Sequence, residues 1–486
     1  MFTSRKRNKL QSNRGVISET VAGVGRQVDA LVYIVQDSNA SPGDRIAAAE
    51  VVRSLVEFQS MSSISEIWYA TQTLLNQDNV SDVRRAGWRL TLSCMNRDEL
   101  NNSSLSVYYS TILVYANVDD FDLVLACLSK LTVSGRRIIG SQTPRNLTHM
   151  LIMWIQQLAI RTQDLRSLNS TPSNTMPGLR DVSAEHGGDT AEESFHKLLE
   201  FTASCLKFNM YVWEPKEIEK LLLTAVAIIR RTSDVNDCRL CCLLIETVIA
   251  YGLVPASVLQ PILEVLCALI TLIPQLRDTC KSIIISLSDS HLRNVTYIRL
   301  CCILDTPTAE ITTSMREAAA LELTEFLVKE DAQQKNEDDG ITSSTPSITK
   351  SILSDPMSSP IIGEENYTSV DVSLPILEVL EAYYRTLCDI RTPLSLVVTL
   401  LECMLTLITK VRILHRVYLS SIPNSGSPSE MIKSFSDIYA RNKSQLQVEE
   451  NNNAETNSTN ENLSEHVVLM EKYSNLMSEL AAIRSG

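Results

Sequence analysis

The chain has 486 residues, a formal net charge of −13, only 15 glycines and 5% aromatic residues, against 44% hydrophobic and 21% charged. The length exceeds one small domain, and sandwiches or barrels would need more glycine-rich turns and more aromatic strands, so the composition points to helices. The acidic balance disfavours general nucleic-acid binding, which needs a basic surface to displace counterions from phosphates.

Residues 1–40 read as a basic flexible N-terminus (Arg5, Lys6, Arg7, Lys9 and Arg14) leading into the first helix. No apolar run follows these cations, so they do not open a secretory signal peptide. Ser41-Pro42-Gly43-Asp44 is a helix start: serine can cap free N–H groups, and proline is tolerated in the first turn. Helices fit 44–59, 63–77, 80–95, 103–117 and 119–133. In the last, Phe121, Val124, Leu125, Leu128 and Leu131 form one apolar stripe at the helical period. Another helix fits 144–160.

At 168–191 prolines, glycines and small polar residues erase the period, which predicts a mobile loop. Helices resume at 192–209, 215–231, 236–251 and from Pro255 to about 273, then at 275–288, 293–304 and 312–329. Residues 330–371 carry nine acidic residues against Lys335 and Lys350, with three prolines, and read as an acidic linker. Ser359-Pro360 in it is a candidate phosphorylation site. Helices fit 374–389 and 394–418 within a further helical pair at 372–420. Residues 421–463 are low-complexity linker. The terminal stretch 464–486 places Leu469, Tyr473, Leu476, Leu480 and Ile483 at heptad spacing. It covers about two heptads, so it is either a helix docked on the array or a partner-binding coil.

Helix pairs recurring about every 40 residues predict an all-α fold, a HEAT/armadillo-like helical-repeat solenoid (an α-α superhelix) with disordered insertions. Its main body is expected over 41–329. An irregular bundle is the alternative, since no strict sequence repeat is visible. The best apolar stretches, 258–273 and 394–409, are interrupted by Gln260, Pro261 and Glu264 or by Glu402, and read as core helices rather than membrane spans.

Motifs that would carry chemistry are sparse in this chain. Cys238, Cys241 and Cys242 have half the spacing of a zinc knuckle, but they sit in a helical run without a second pair nearby, and read as a small-residue packing face. The 12 cysteines read as buried reduced thiols. The six histidines, His149, His186, His196, His291, His415 and His466, are scattered. There is no P-loop and no G-x-S-x-G, Gly23-Val24-Gly25 lacks a third glycine, and the acid pairs Glu192-Glu193 and Glu364-Glu365 read as solvated linker charge. No residue is assigned a catalytic, metal-binding or cofactor-binding role, and no cofactor is expected.

The stretch 205–259 carries Lys207-Phe208-Asn209, Arg231-Thr232 with Asp237 soon after, and Tyr251 leading to Leu253, Pro255 and Ser257. Upstream stand Gly135-Arg136-Arg137-Ile138 followed by a helix ending near Trp154, and an Asp44-Arg45-Ile46 helix with Trp68 in the next one. In order and spacing this resembles the N-terminal helical domain of the tuberin/Ral GTPase-activating protein alpha family, over 44–305 and more loosely 312–415. The stretches 168–191 and 330–371 look like insertions relative to it. The resemblance implies a regulatory scaffold that binds a hamartin-like coiled-coil partner. Through that complex it implies action on a Rheb-type small GTPase, restraint of TOR signalling, and a cytoplasmic location with peripheral attachment to an endomembrane. The family's catalytic asparagine belongs to a separate C-terminal α/β domain, for which no room is expected after residue 418, so the chain itself is not expected to be an enzyme. Two other readings remain: a helical-repeat trafficking or transport adaptor, and an enzyme with a dispersed active site.

Overall fold

The computed structural model describes residues 28–58, 64–98, 102–136, 144–170, 182–306, 310–338, 374–389, 391–411 and a few positions between 471 and 478. Among them there is no strand. The chain divides into two compact units, Met1–Leu253 and Val254–Gly486, a division that falls inside the span 41–329.

In the first unit, α1 (28–36) is followed by α2 (Pro42–Phe58), α3 (Ile64–Leu75), α4 (Ser81–Arg97), α5 (Asn102–Tyr115), α6 (Phe121–Thr132), α7 (Pro144–Ser170), α8 (Val182–Asn209), α9 (Pro215–Arg231) and α10 (Val235–Ala250). The helicity of 28–36 cuts into the stretch expected to be flexible. Its cause is burial: Val28 and Val35 join Ala48, Ala49 and Val52 of α2 in one core cluster. Apolar burial of this kind stabilises a short helix that would not persist alone. Within the start signal, Ser41 Oγ accepts from the Asp44 N–H at 3.1 Å.

The repeat is visible in the side-chain bonds between alternate helices. Arg89 on α4 meets Glu50 on α2, 39 positions away, and farther along the same pair Ser93 meets Glu57, 36 positions away. Arg85 on α4 pairs with Asp122 on α6 across 37 positions. Both partners advance together, so alternate helices run parallel, one helix pair apart, as stacked α-α repeats require. Between α7 and α9 the separation rises to 69 at Thr148–Glu217 and 68 at Gln156–Thr224, while the helices stay parallel. The extra residues lie in the greater length of α7 and α8 and in the stretch that joins them. Helix covers more of that stretch than the sequence predicts: α7 runs to Ser170 and α8 starts at Val182, leaving 171–181 outside the described residues. Once the buried part of α8 (Phe195, Leu198, Leu199) is formed, adding turns needs no new nucleus, so Gly187 and Gly188 are tolerated despite their poor propensity.

The residues that carried the family resemblance sit at helix junctions. Gly135 follows α6 with φ +81° and faces α8: a Cβ there would stand 3.0 Å from Cys205 Sγ and 3.1 Å from the Phe201 carbonyl oxygen. Asn209 donates to the Gly135 carbonyl at 2.7 Å, Arg136 lies over the Phe208 ring, and the Tyr251 hydroxyl donates to the Lys207 carbonyl. Arg45 is buried and donates to the carbonyls of Val35 and Thr73 and to Asn79 Oδ1, which ties the ends of α1, α2 and α3. Trp68 packs edge-on against Tyr108 with ring centres 4.4 Å apart.

The second unit contains α11 (Ala256–Leu272), α12 (Arg277–Ser288), α13 (Arg293–Asp305), α14 (Thr313–Asp338), α15 (Leu374–Cys388) and α16 (Leu394–Lys410). Lys281–Glu325 and Lys329–Asp289, 44 and 40 positions apart, set α12 parallel to α14. Glu330, placed by sequence at the start of the acidic linker, belongs to the packed array: it accepts from the Tyr297 hydroxyl and pairs with Arg293. Helix α14 therefore runs on to Asp338, and 339–373 lie outside the described residues. Helix α16 ends at Lys410, short of the predicted 418, because Val411 turns to extended backbone. Among the described residues no helix is long and apolar enough to cross a membrane.

Candidate binding groove

Helices α7 and α9 lie side by side without closing the space between them. The groove has a volume of about 620 Å³. Gln156, Ala159, Ile160 and Gln163 line one side, and Lys220, Leu223, Thr224, Ala227 and Arg231 the other. Gln156 Nε2 donates to Thr224 Oγ1 at 2.9 Å and Gln163 Nε2 to the Arg231 carbonyl, rungs that fix the spacing. Ala159 and Ala227 leave room for close approach. Ile160 and Leu223 are 54% and 44% exposed, so the floor offers apolar surface to a partner. Asp237 is the sole carboxylate among the lining residues, and Lys220 and Arg231 pair with no carboxylate among the described residues.

One end of the groove is closed by a polar cluster. Thr232 ends α9, and Asp234 caps α10 by accepting from the Asp237 N–H at 2.8 Å. This turn places Asp237, 2% exposed, to accept from Arg166 at 2.6 Å, Thr232 at 2.9 Å and His196 at 2.7 Å. Arg166 also pairs with Glu192. Burial by itself would lower the Arg166 pKa, but its hydrogen bonds to Asp237 and Glu192 outweigh this and raise it, so the guanidinium stays charged. Arg239 binds Asn236 Oδ1 through Nε and Nη2, which leaves Asn236 Nδ2 to donate to His196 Nδ1 at 3.0 Å. His196 Nδ1 is then an acceptor, and Nε2–H donates to Asp237.

Glu192, His196 and Asp234 converge closely enough to hold a cation. Each already has a role: Glu192 pairs with Arg166, both ring nitrogens of His196 are hydrogen-bonded, and Asp234 caps a helix. A metal would have to displace these bonds beside a fixed guanidinium, so the donor set fits a structural network better than a metal site.

Sequence reasoning separated what the fold joins here. His196, read as a scattered histidine, meets a carboxylate 41 positions away. Glu192, read as solvated linker charge, pairs with Arg166. The available signal was Arg231-Thr232 with Asp237, already prominent in the family-like stretch. Cys238, Cys241 and Cys242 are buried on α10. The heptad positions Leu469, Tyr473, Leu476, Leu480 and Ile483 lie outside the described residues. Beside them, Lys472 pairs with Glu402 of α16 at 3.1 Å, and Asn475 and Ser478 stand next to Leu405, Thr406 and Thr409.

Comparison with known proteins gives this array a family. The profile described as "Domain of unknown function (DUF3384)" matches residues 42–484. The chain belongs to the DUF3384 family. A comparison with curated protein sequences finds no match. Among solved structures, this DUF3384 chain is similar to one described as "Structure of the TSC2 N-terminus", with a TM-score of 0.61, 17% identity, and 94% of this chain and 99% of that one covered. TSC2 is tuberin, so the resemblance read from residues 44–305 holds at the level of fold, over nearly the whole chain. Kap121p is also matched, at a TM-score of 0.30 and 10% identity, with 99% of this chain and 48% of that one covered. The DUF3384 chain is thus an all-α helical-repeat protein of the tuberin N-terminal type.

Proposed function

We propose that the chain is a tuberin-like regulatory scaffold. Its partner is a hamartin-like coiled-coil protein, in a complex that promotes GTP hydrolysis by a Rheb-type small GTPase and so restrains TOR signalling. Its place is the cytoplasm, with peripheral attachment to an endomembrane through the complex. The observation that supports this reading is the match in fold to the TSC2 N-terminus over 94% of this chain and 99% of that one, joined to a family profile over 42–484. Helical arrays serve many functions, so the reading draws on the family and not on the architecture alone.

The chain's contribution is binding, not catalysis. The test is sedimentation of the purified chain with the coiled-coil region of a hamartin protein from the same organism. A stable complex at micromolar concentration is the expected result, and no association would overturn the reading. In parallel, GTP hydrolysis by a Rheb-type GTPase with this chain alone is expected to stay at its intrinsic rate. An acceleration of about 10²-fold, about 2.7 kcal/mol of barrier, would overturn the assignment of a purely binding role.

A further inference from the structure

We propose that the α7/α9 groove is a docking site for an acidic amphipathic helix, selected by Lys220 and Arg231. The inference rests on the scaffold reading for the helical character of the partner; the charge preference and the location come from the groove itself.

The dimensions suit a helix. The lining residues run from Gln156 to Ser167 on α7 and from Lys220 to Arg231 on α9, about 16 Å on each side at 1.5 Å per residue. That is three helical turns. A bound helix would set apolar side chains at i, i+3 or i+4 and i+7 over Ile160 and Leu223, with its backbone close to Ala159 and Ala227.

The charges choose among helices. Lys220 and Arg231 stand at opposite ends of the α9 side, and neither pairs with a carboxylate among the described residues. Arg166 is committed to Asp237 and Glu192. In a chain of net charge −13, an apolar groove whose available charges are both cationic is a local reversal of sign. Two separated cations suit carboxylates spread along a rod, about three turns apart, rather than one compact phosphate. Complementary charge of this sort fixes partner and register more than it adds raw affinity.

The experiment compares the full chain with the double variant Lys220→Glu/Arg231→Glu, each checked by thermal melting for an unchanged fold. Two probes are used. One is the hamartin coiled-coil region. The other is a helix-favouring peptide of about 20 residues, with leucines at i, i+3, i+7 and i+10 flanked by glutamates, alongside a counterpart in which lysines replace the glutamates. The expected result is that the acidic peptide binds the native chain and weakens at least about tenfold on the double variant. The lysine peptide should show the opposite preference. Coiled-coil binding lost on the double variant would place the partner in this groove. Coiled-coil binding that is equal on both chains overturns the groove proposal and leaves the scaffold reading standing. If the coiled coil binds neither chain, the scaffold reading fails and the peptides decide the groove: a charge-swapped preference keeps it. Acidic and basic peptides binding alike, or not at all, overturn it.

Discussion

Arg166 Nη1 lies 2.6 Å from Asp237 Oδ2, across 71 positions of sequence and from α7 to the first turn of α10. The same carboxylate holds Thr232 and His196, so one buried acid joins three helices and the end of a fourth. Replacing Arg166 by alanine leaves that acid without its charged partner, although Thr232 and His196 still donate to it. Because Arg166 is partly exposed, the loss is set below that of a fully buried pair, at about 2 kcal/mol. All four tryptophans lie in the first unit, so their fluorescence in urea reports that unit directly. An Asp237→Asn change combined with Arg166→Ala should cost less than the two single losses added together; full additivity would show that the pair is not coupled.

Glycine 87 gives a prediction that opposes helix propensity. It sits within α4, where an added Cβ would meet Leu74 Cβ at 2.8 Å and Leu75 Cδ2 at 2.9 Å. Alanine is better than glycine inside a helix by about 1 kcal/mol. Overpacking a close helix crossing costs about 1–3 kcal/mol. Gly87→Ala is therefore expected to lower the melting temperature of the first unit. A rise would mean that α3 and α4 can separate freely.

Glu322 of α14 is 1% exposed, 3.3 Å from Lys281. Burial raises its pKa above the ordinary 4.5, against the attraction of Lys281, which lowers it. The folded state thus holds this proton more tightly than the unfolded chain does. Its contribution to stability is full below about pH 4.5 and is lost as pH rises through the folded pKa. Calorimetry of the second unit should show a fall with pH across that window in the native chain, smaller in Glu322→Gln. Identical pH profiles would show that Glu322 titrates as an ordinary surface acid.

The thiols should be slow. Burial pushes Cys94, Cys205, Cys238 and Cys301 up to about 12 and Cys403 to about 11. Since the thiolate is the reactive form, a disulfide reagent near pH 8 should modify these five only after denaturation, while half-buried Cys302 reacts earlier. Rapid modification of Cys238, or zinc released on denaturation, would revive the metal reading of the C-x-x-C spacing.

The sequence made the helices legible because each carries its own apolar stripe, as Phe121, Val124, Leu125, Leu128 and Leu131 do on α6. A period of three and four is local information. The polar cluster was not legible, because His196 and Asp237 are 41 positions apart and meet only once α8 and α10 stack. Helix ends were the other weakness. Glu330 looked like linker when counted among its acidic neighbours, yet its partners Tyr297 and Arg293 stand on α13. Likewise the helical stretch 28–36 was hidden by the basic residues before it, though Val28 and Val35 bury like any core valine.

Helices α7 and α9 run in parallel register over their shared length. Thr148–Glu217, Gln156–Thr224 and Gln163–Arg231 keep these helices aligned although the chain between them is some thirty positions longer than at the other rungs of the unit. Alignment is therefore dictated by the rungs and is indifferent to the length of the tether. A protease cut between Ser170 and Val182 should leave two pieces that remain associated and keep their melting behaviour. By the same logic, relatives can differ in the number of residues between these rungs and still keep α7 and α9 in the same register.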